Sequence, residues 1–488
     1  MTTMQATGGD YFDLVLVGSG FASTFFLHRY LARTRHPVRV LVLERGEVRE
    51  HRWQLAHRDQ IEDEARGSVD ARQSSKRWTF RLAFGGSSNC WWACTPRFLP
   101  EDFRLRSTYG VGRDWPLTYD DLEEYYSAAE ALMSVSGPDD GPPFPRSRPY
   151  PLPPHHFSDP DRLLKRRFPD AFFNQPTARP SRALESGRPR CCASGVCGRC
   201  PIDSKFTILN SLAGVYRDPR VTLTSGATVT ALDVSNDRVR GVHFQHAGSR
   251  QSVRADLVGL GANALFNPFL LLRSGLADGN AGQGLLEQVS VNVMVDLDGI
   301  DNFQGSTSIT GSGYMLYAGA HRRERAAALM ESWNVPLLRD ERGKWRRRLR
   351  LKFIFEDLPQ LENQVVAADA TRPAIHYARH SSYAQRGLDH LESDLSHVLE
   401  ALPVERYQIV HPDALTTEGH ILGTTVMGTD AADSVVDRDL VHHRVRNLLV
   451  LGGSVFPTIS PANPTLTICA LSLRAADRVT ASAARSLS

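Results

Sequence analysis

The sequence has no apolar run long enough to cross a membrane; the best candidate, residues 11–26, is interrupted by Gly18 and Gly20. It also lacks a strong charge of either sign. With 57 Lys and Arg against 54 Asp and Glu, the net charge of +3 is too mild to argue for a nucleic-acid partner. Residues 1–10 lack the basic start, apolar stretch and small-residue cleavage site of an export signal, so a cytoplasmic location is the expectation. Cysteine is sparse except in one place: four of the seven fall within residues 191–200. In a reducing compartment such crowding reads as a metal or cluster site before it reads as disulfides. At 488 residues, 41% hydrophobic and 23% charged, the chain reads as a globular protein of two closely built domains.

What is present begins with a nucleotide signature. Residues 12–17 form a short apolar run suited to a buried parallel strand, and Gly18-Ser19-Gly20-Phe21-Ala22-Ser23 leads into a helix-like segment. A second strand, 38–43, ends at Glu44. Glycines give the tight turn and the close approach, the helix N-terminus faces the pyrophosphate, and the acid takes the ribose hydroxyls. Ser23 stands at the third glycine position, small enough for helix–strand contact but a departure. A carboxylate at the ribose favours FAD or NAD over NADP. In Gly85-Gly86-Ser87-Ser88, two glycines and two serines can wrap phosphate with backbone and hydroxyl donors. Trp91 and Trp92 right after it argue for a buried, ring-lined wall rather than a surface turn.

The middle of the chain reads in coarser terms. Residues 119–134 make an amphipathic helix, and the Pro-rich stretch 137–154 a linker or extended arm. Strand-like pieces at 221–232, 239–245 and 255–260 return to the nucleotide domain. From 290 to 402 the pattern turns to period-2 strands, at 291–297, 306–316, 349–356 and 365–377, followed by one long helix at 381–402. Arg346, Arg347 and Arg348, with Arg350 and Lys352, read as a solvated strand edge rather than a docking site for an acidic partner. The expected fold is α/β: a Rossmann-like cofactor domain (1–289 and 420–488) interleaved with an α+β substrate domain of antiparallel sheet plus helices (290–419).

Chemistry concentrates in 419–467. A lone histidine is most often a satisfied core or surface residue, but Gly419 and Gly423 let the backbone beside His420 approach a partner closely. Asn463 sits between Ala462 and Pro464, ahead of a helix-like run from Thr465 whose first turn offers free N–H groups. An imidazole that takes a proton, beside an amide that orients a hydroxyl, suits proton removal from an alcohol.

The order of these motifs resembles the glucose–methanol–choline (GMC) flavin oxidoreductases, with further likeness in Asp114-Trp115-Pro116, Val426-Met427-Gly428 and Ser454-Val455-Phe456-Pro457-Thr458. Within that family the pyranose oxidase and FAD-dependent sugar dehydrogenase branch looks nearest. The resemblance implies FAD as cofactor, touched by Gly18, Ser19, Gly20, Ser23, Glu44, Gly85, Gly86, Ser87, Ser88, Val229, Gly453, Pro464 and Thr465. It implies that His420 takes the hydroxyl proton of a sugar or sugar-like alcohol while hydride leaves for flavin N5, and that Asn463 orients the alcohol and meets the flavin ring. Electrons then pass to O2 or a redox partner. Gly452-Gly453 replaces an acid, and Gln288 a histidine, common in the family; neither is catalytic in its pattern. Cys90 stands where pyranose-oxidase-like members attach FAD through histidine. The family also includes hydroxynitrile lyases with non-redox flavin, and a flavin and iron–sulfur electron carrier is a third reading.

Cys191, Cys192, Cys197 and Cys200 admit three readings: an iron–sulfur cluster, structural zinc or disulfides, and free packing thiols. The segment resembles the cluster-bearing stretch of bacterial FAD-dependent sugar dehydrogenases.

Overall fold

The structure is a computed structural model describing residues 10–411 and 417–486. The parts of the expected domain ranges at 1–9, 412–416 and 487–488 lie outside the described residues. Leu14, Val15 and Leu16, with Val40, Leu41 and Val42, are fully buried because they lie in strands covered on both faces. Each such side chain contributes roughly 1.5–3 kcal/mol relative to exposure.

The strands Tyr11–Val17 and Val40–Leu43 run parallel in a seven-stranded sheet. Its order is Val221–Thr224, Val40–Leu43, Tyr11–Val17, Ser249–Leu260, Arg238–His246 and Thr228–Ser235. Leu448–Val450, nearly two hundred residues later in the chain, adds in parallel beside Val258–Leu260. The helix Phe21–Arg33 starts where the first strand ends, and the C-terminal helix Thr465–Ser486 is tied to it by Arg29 and Arg33 on Asp477. Among the described residues no helix is long and apolar enough to cross a membrane.

The second sheet has six strands, all antiparallel, in the order Val404–Val410, Val289–Leu297, Arg348–Phe355, Ala328–Trp333, Ile309–Gly313 and Phe172–Asn174. Three sequence expectations are corrected here. The helix expected at 381–402 is two, Ser382–Asp389 and Leu391–Leu399, with the chain turning at His390 (φ −89°, ψ −8°) so that both halves bury apolar faces on this sheet. The strand expected at 365–377 is two short strands, which join Asp70–Ser74 in a separate three-stranded sheet. The basic run is not an edge: Arg348–Phe355 is a central strand, its cations matched by groups distant in sequence. Arg348 Nε donates to Asp296 at 2.7 Å, and the Arg350 guanidinium lies 3.4 Å from the Trp333 ring centroid.

Candidate active site

One cavity of about 650 Å³ runs from the glycine loops of the first sheet to the face of the second, a size suited to a cofactor with a small ligand. At its cofactor end the turn after Val17 needs Gly18: φ is +91°, and a Cβ there would come within 2.7 Å of the Gly261 carbonyl oxygen. Gly20 precedes the first helical turn, which carries neither a side-chain cap nor an acid. Phe21 and Ala22 of that turn line the cavity, and the free N–H groups of a helix start are suited to binding anions. A Cβ on Gly20 would meet nothing within 4 Å, so the backbone is bare to the cavity at this point. Gly86 lies against it; a Cβ there would sit 3.2 Å from Gly20 Cα.

Glu44, 6% exposed, accepts from the Ser19 N–H (2.9 Å) and hydroxyl (2.7 Å) and from the Gly46 N–H (2.7 Å). Burial raises its pKa, and these donors oppose the rise. Ser19, Ser87, Val229 and Gly453 line the same cavity. Ser23, Gly85 and Ser88 are not among the residues that line it, and their contacts lie in the packing behind the loops. Ser23 fills the gap between helix and strand, where a Cβ on Gly261 would lie 2.0 Å from its Oγ. Ser88 Oγ donates to Gly85 O and accepts from the Ile208 N–H, so it braces the loop from behind.

The other end of the cavity holds His420, Asn463, Pro464 and Thr465. Trp115, from the Asp-Trp-Pro motif, donates Nε1–H to Thr458 Oγ1 at 2.9 Å and steadies the segment leading to Asn463. Asn463 is 9% exposed, and its Oδ1 has no partner among the described residues. An amide is both donor and acceptor, so a ligand here completes it.

Gln288, which sequence reasoning set aside, fixes the state of His420. Its Nε2 donates to the carbonyl oxygens of Ser460 (2.6 Å) and Ala462 (3.0 Å), which identifies that end as the amide nitrogen. Its Oε1 must therefore accept, and it meets His420 Nδ1. Nδ1 then carries the proton, and Nε2, unpartnered among the described residues, is left as a basic lone pair. Burial pushes the His420 pKa down to about 4; Glu418 opposes this and Lys352 adds to it. The imidazole is neutral at neutral pH.

Three comparisons with known proteins bear on this geometry. Residues 368–472, which include His420 and Asn463, match the model of the GMC oxidoreductase C-terminal region. The chain is 28% identical to the fructose dehydrogenase large subunit of Gluconobacter japonicus, over 81% of this chain and 80% of that one. It is 26% identical to the 6'''-hydroxyparomomycin C oxidase of Streptomyces lividus, over 96% and 91%. The fold of pyridoxine 4-oxidase from "Mesorbium loti" superposes with a TM-score of 0.67, at 18% identity, over 96% of this chain and 98% of that one. The C-terminal region is thus that of a GMC oxidoreductase, and over most of its length the chain is similar to sugar and alcohol oxidoreductases. Like the family, it is an FAD-dependent oxidoreductase with an α/β cofactor fold and a substrate sheet.

The residues present fit FAD: a bare glycine backbone at a helix N-terminus, a buried carboxylate one strand over, and an uncompleted Asn463 amide at the far end. Gly20→Leu tests this without disturbing the turn, since Gly20 has φ −73° and open space at its Cβ. We expect a folded protein, by circular dichroism and thermal melt, whose flavin content falls at least about tenfold and whose melting temperature FAD no longer raises.

The cysteine segment is less convergent than a metal centre requires. All seven cysteines are free, and among the described residues no three His, Cys, Asp or Glu side chains are set to hold a metal ion. Cys197 Sγ donates to Ser308 Oγ and accepts from Arg179, Cys191 Sγ meets Thr307 Oγ1, and Cys192 is exposed. Cys200 Sγ instead accepts the Ser204 N–H at 3.2 Å. Of the three readings these contacts favour packing thiols: the four side chains are not gathered around one centre, and the chain turns at Cys200 to bond its own backbone.

Proposed function

We propose that this GMC oxidoreductase oxidises a CH–OH carbon of a sugar or sugar-like alcohol. The observation that carries the reading is the Gln288–His420 pair: a neutral imidazole with its Nδ1 proton fixed and its Nε2 free, in one cavity with Asn463 and the cofactor cradle. Nε2 takes the proton of the substrate hydroxyl, and the Asn463 amide holds the same oxygen so that the carbon–hydrogen bond faces the cofactor. FAD supplies the hydride acceptor. The cradle residues Gly18, Ser19, Gly20, Glu44, Gly86 and Ser87 would hold its phosphates and ribose, and Val229 its adenine side. The names of the fructose dehydrogenase subunit and of the paromomycin and paromamine oxidases support a sugar-type substrate. Anaerobic mixing with candidate sugars tests it: substrate-dependent bleaching of the flavin is expected, and binding without bleaching would favour the lyase reading.

The cysteine segment carries a second reading: an iron–sulfur cluster there would supply a path for flavin electrons toward a redox partner, and would require thiols that stand apart in this structure to gather. Two cations beside it, Arg179 and Lys205, are each 1% exposed and make no ion pair with a carboxylate among the described residues. Arg179 Nε is also unpartnered among them. Burial pulls Lys205 down to about 8, against the pull of the cysteines. Buried cations without carboxylates suit thiolates. On this reading, protein purified without air contains iron and acid-labile sulfide in proportion to flavin. Flavin without iron would leave the thiols as packing groups and O2 as the acceptor.

A further inference from the structure

The second sheet puts more than a wall over the reacting hydroxyl. Glu331 and Trp333 lie two residues apart on Ala328–Trp333, on one face of the strand and roughly 7 Å apart along it. Both line the cavity that His420 lines. They are 2% and 5% exposed, yet Glu331 Oε1 and Trp333 Nε1 have no hydrogen-bond partner among the described residues. Leaving a buried polar atom without a hydrogen bond is costly, and native proteins do so rarely. The cations in register on the next strand do not resolve this. Lys352 Nζ is bonded to Glu418 at 2.6 Å, and the Arg350 guanidinium stacks on the Trp333 indole. Trp92, also on the cavity wall, packs against Trp333 with ring centroids 4.7 Å apart.

We propose that Glu331 and Trp333 select a cyclic polyol or glycoside, binding two ring hydroxyls other than the one oxidised. This inference rests on the alcohol-oxidation reading and narrows its substrate. An unmade acceptor calls for a donor, and an unmade donor for an acceptor; a hydroxyl is both, so one kind of group completes the pair. A cationic amine completes Glu331 and leaves Trp333 Nε1 unmade. A monohydric alcohol reaches His420 and Asn463 and leaves both unmade. Two indoles on the wall suit the apolar C–H face of a ring. A site built this way rejects an analogue lacking the hydroxyls far more strongly than an apolar pocket can.

The test uses the holoenzyme with 1,5-anhydro-D-glucitol, methyl β-D-glucopyranoside, methyl β-D-galactopyranoside, myo-inositol, D-glucosamine and cyclohexanol. Binding is read by tryptophan fluorescence and turnover by flavin bleaching. At least one polyol is expected to bind tighter than cyclohexanol by more than about tenfold. Glu331→Leu and Trp333→Phe, the latter keeping an aromatic ring and losing the N–H, should each weaken that polyol about 10–100-fold and change cyclohexanol at least about fivefold less. Glu331→Gln, which keeps an acceptor, should recover part of the loss. The proposal is overturned by a wild type that does not prefer any polyol, by variants that bind the polyol normally, or by equal weakening of cyclohexanol. Tight glucosamine binding lost only in Glu331→Leu would overturn it in favour of an amine. Glu331-dependent polyol binding without bleaching would instead remove the oxidation reading and leave the binding site standing.

Discussion

His420→Gln is expected to retain FAD and to slow flavin reduction by the alcohol about a thousandfold. A positioned general base contributes 10²–10⁴-fold, and no other group bonded to the cavity side of His420 replaces Nε2. Rapid mixing without air, following the flavin spectrum, gives the number directly; wild-type rates would remove His420 from the chemistry. The pH profile of the unmutated protein carries the second half of this prediction. Burial lowers the His420 pKa from the usual 6.5 to about 4, so the neutral, proton-accepting form persists on acidification and is lost as pH falls through that lower value. The acid limb of kcat/KM should therefore lie near 4. A limb at 6.5 would mean that the imidazole is solvated.

Gln288 should matter almost as much while touching no substrate. In Gln288→Leu, His420 Nδ1 loses its acceptor, the tautomer is no longer fixed, and the carbonyls of Ser460 and Ala462 lose their donors. Groups that orient a catalytic imidazole typically account for 10–100-fold, so kcat should fall by about that much, more than KM rises. Gln288→Glu separates positioning from support. It removes the same two donors but brings a negative charge to Nδ1–H, which favours the imidazolium and moves the acid limb to higher pH. Equal losses in both variants with an unmoved limb would reduce Gln288 to a structural prop.

What was legible in the sequence follows how far each feature depends on neighbours along the chain. The Gly18–Gly20 turn, Glu44 and the His420 and Asn463 settings are local signals; that they share one site was implied by the resemblance to the GMC oxidoreductases, and they do line one cavity. Ser23, Gly85 and Ser88 share the same motifs but turn toward the protein, because a motif gives the path of the backbone and not which side of it meets the ligand. Gln288, Glu331 and Lys352 were invisible as site residues. Their roles depend on Gln288 meeting a histidine 132 residues away and on a cross-strand register set by the whole second sheet. The basic run at 346–352 misled for the same reason: its partners Asp296 and Glu418 are distant in sequence, so local charge pattern reads as exposure.

The strand Leu448–Val450, pairing beside Val258–Leu260, has a consequence for biosynthesis. Gly20 and His420 are four hundred residues apart in the chain and face one cavity, and that strand brings the second back to the first. Contacts of such separation form late and slowly. During translation the glycine turn emerges long before the residues that close over the cofactor. Firm flavin loading should therefore wait for the C-terminal segment, and proteolytic fragments split between the two sheets and that segment should be colourless.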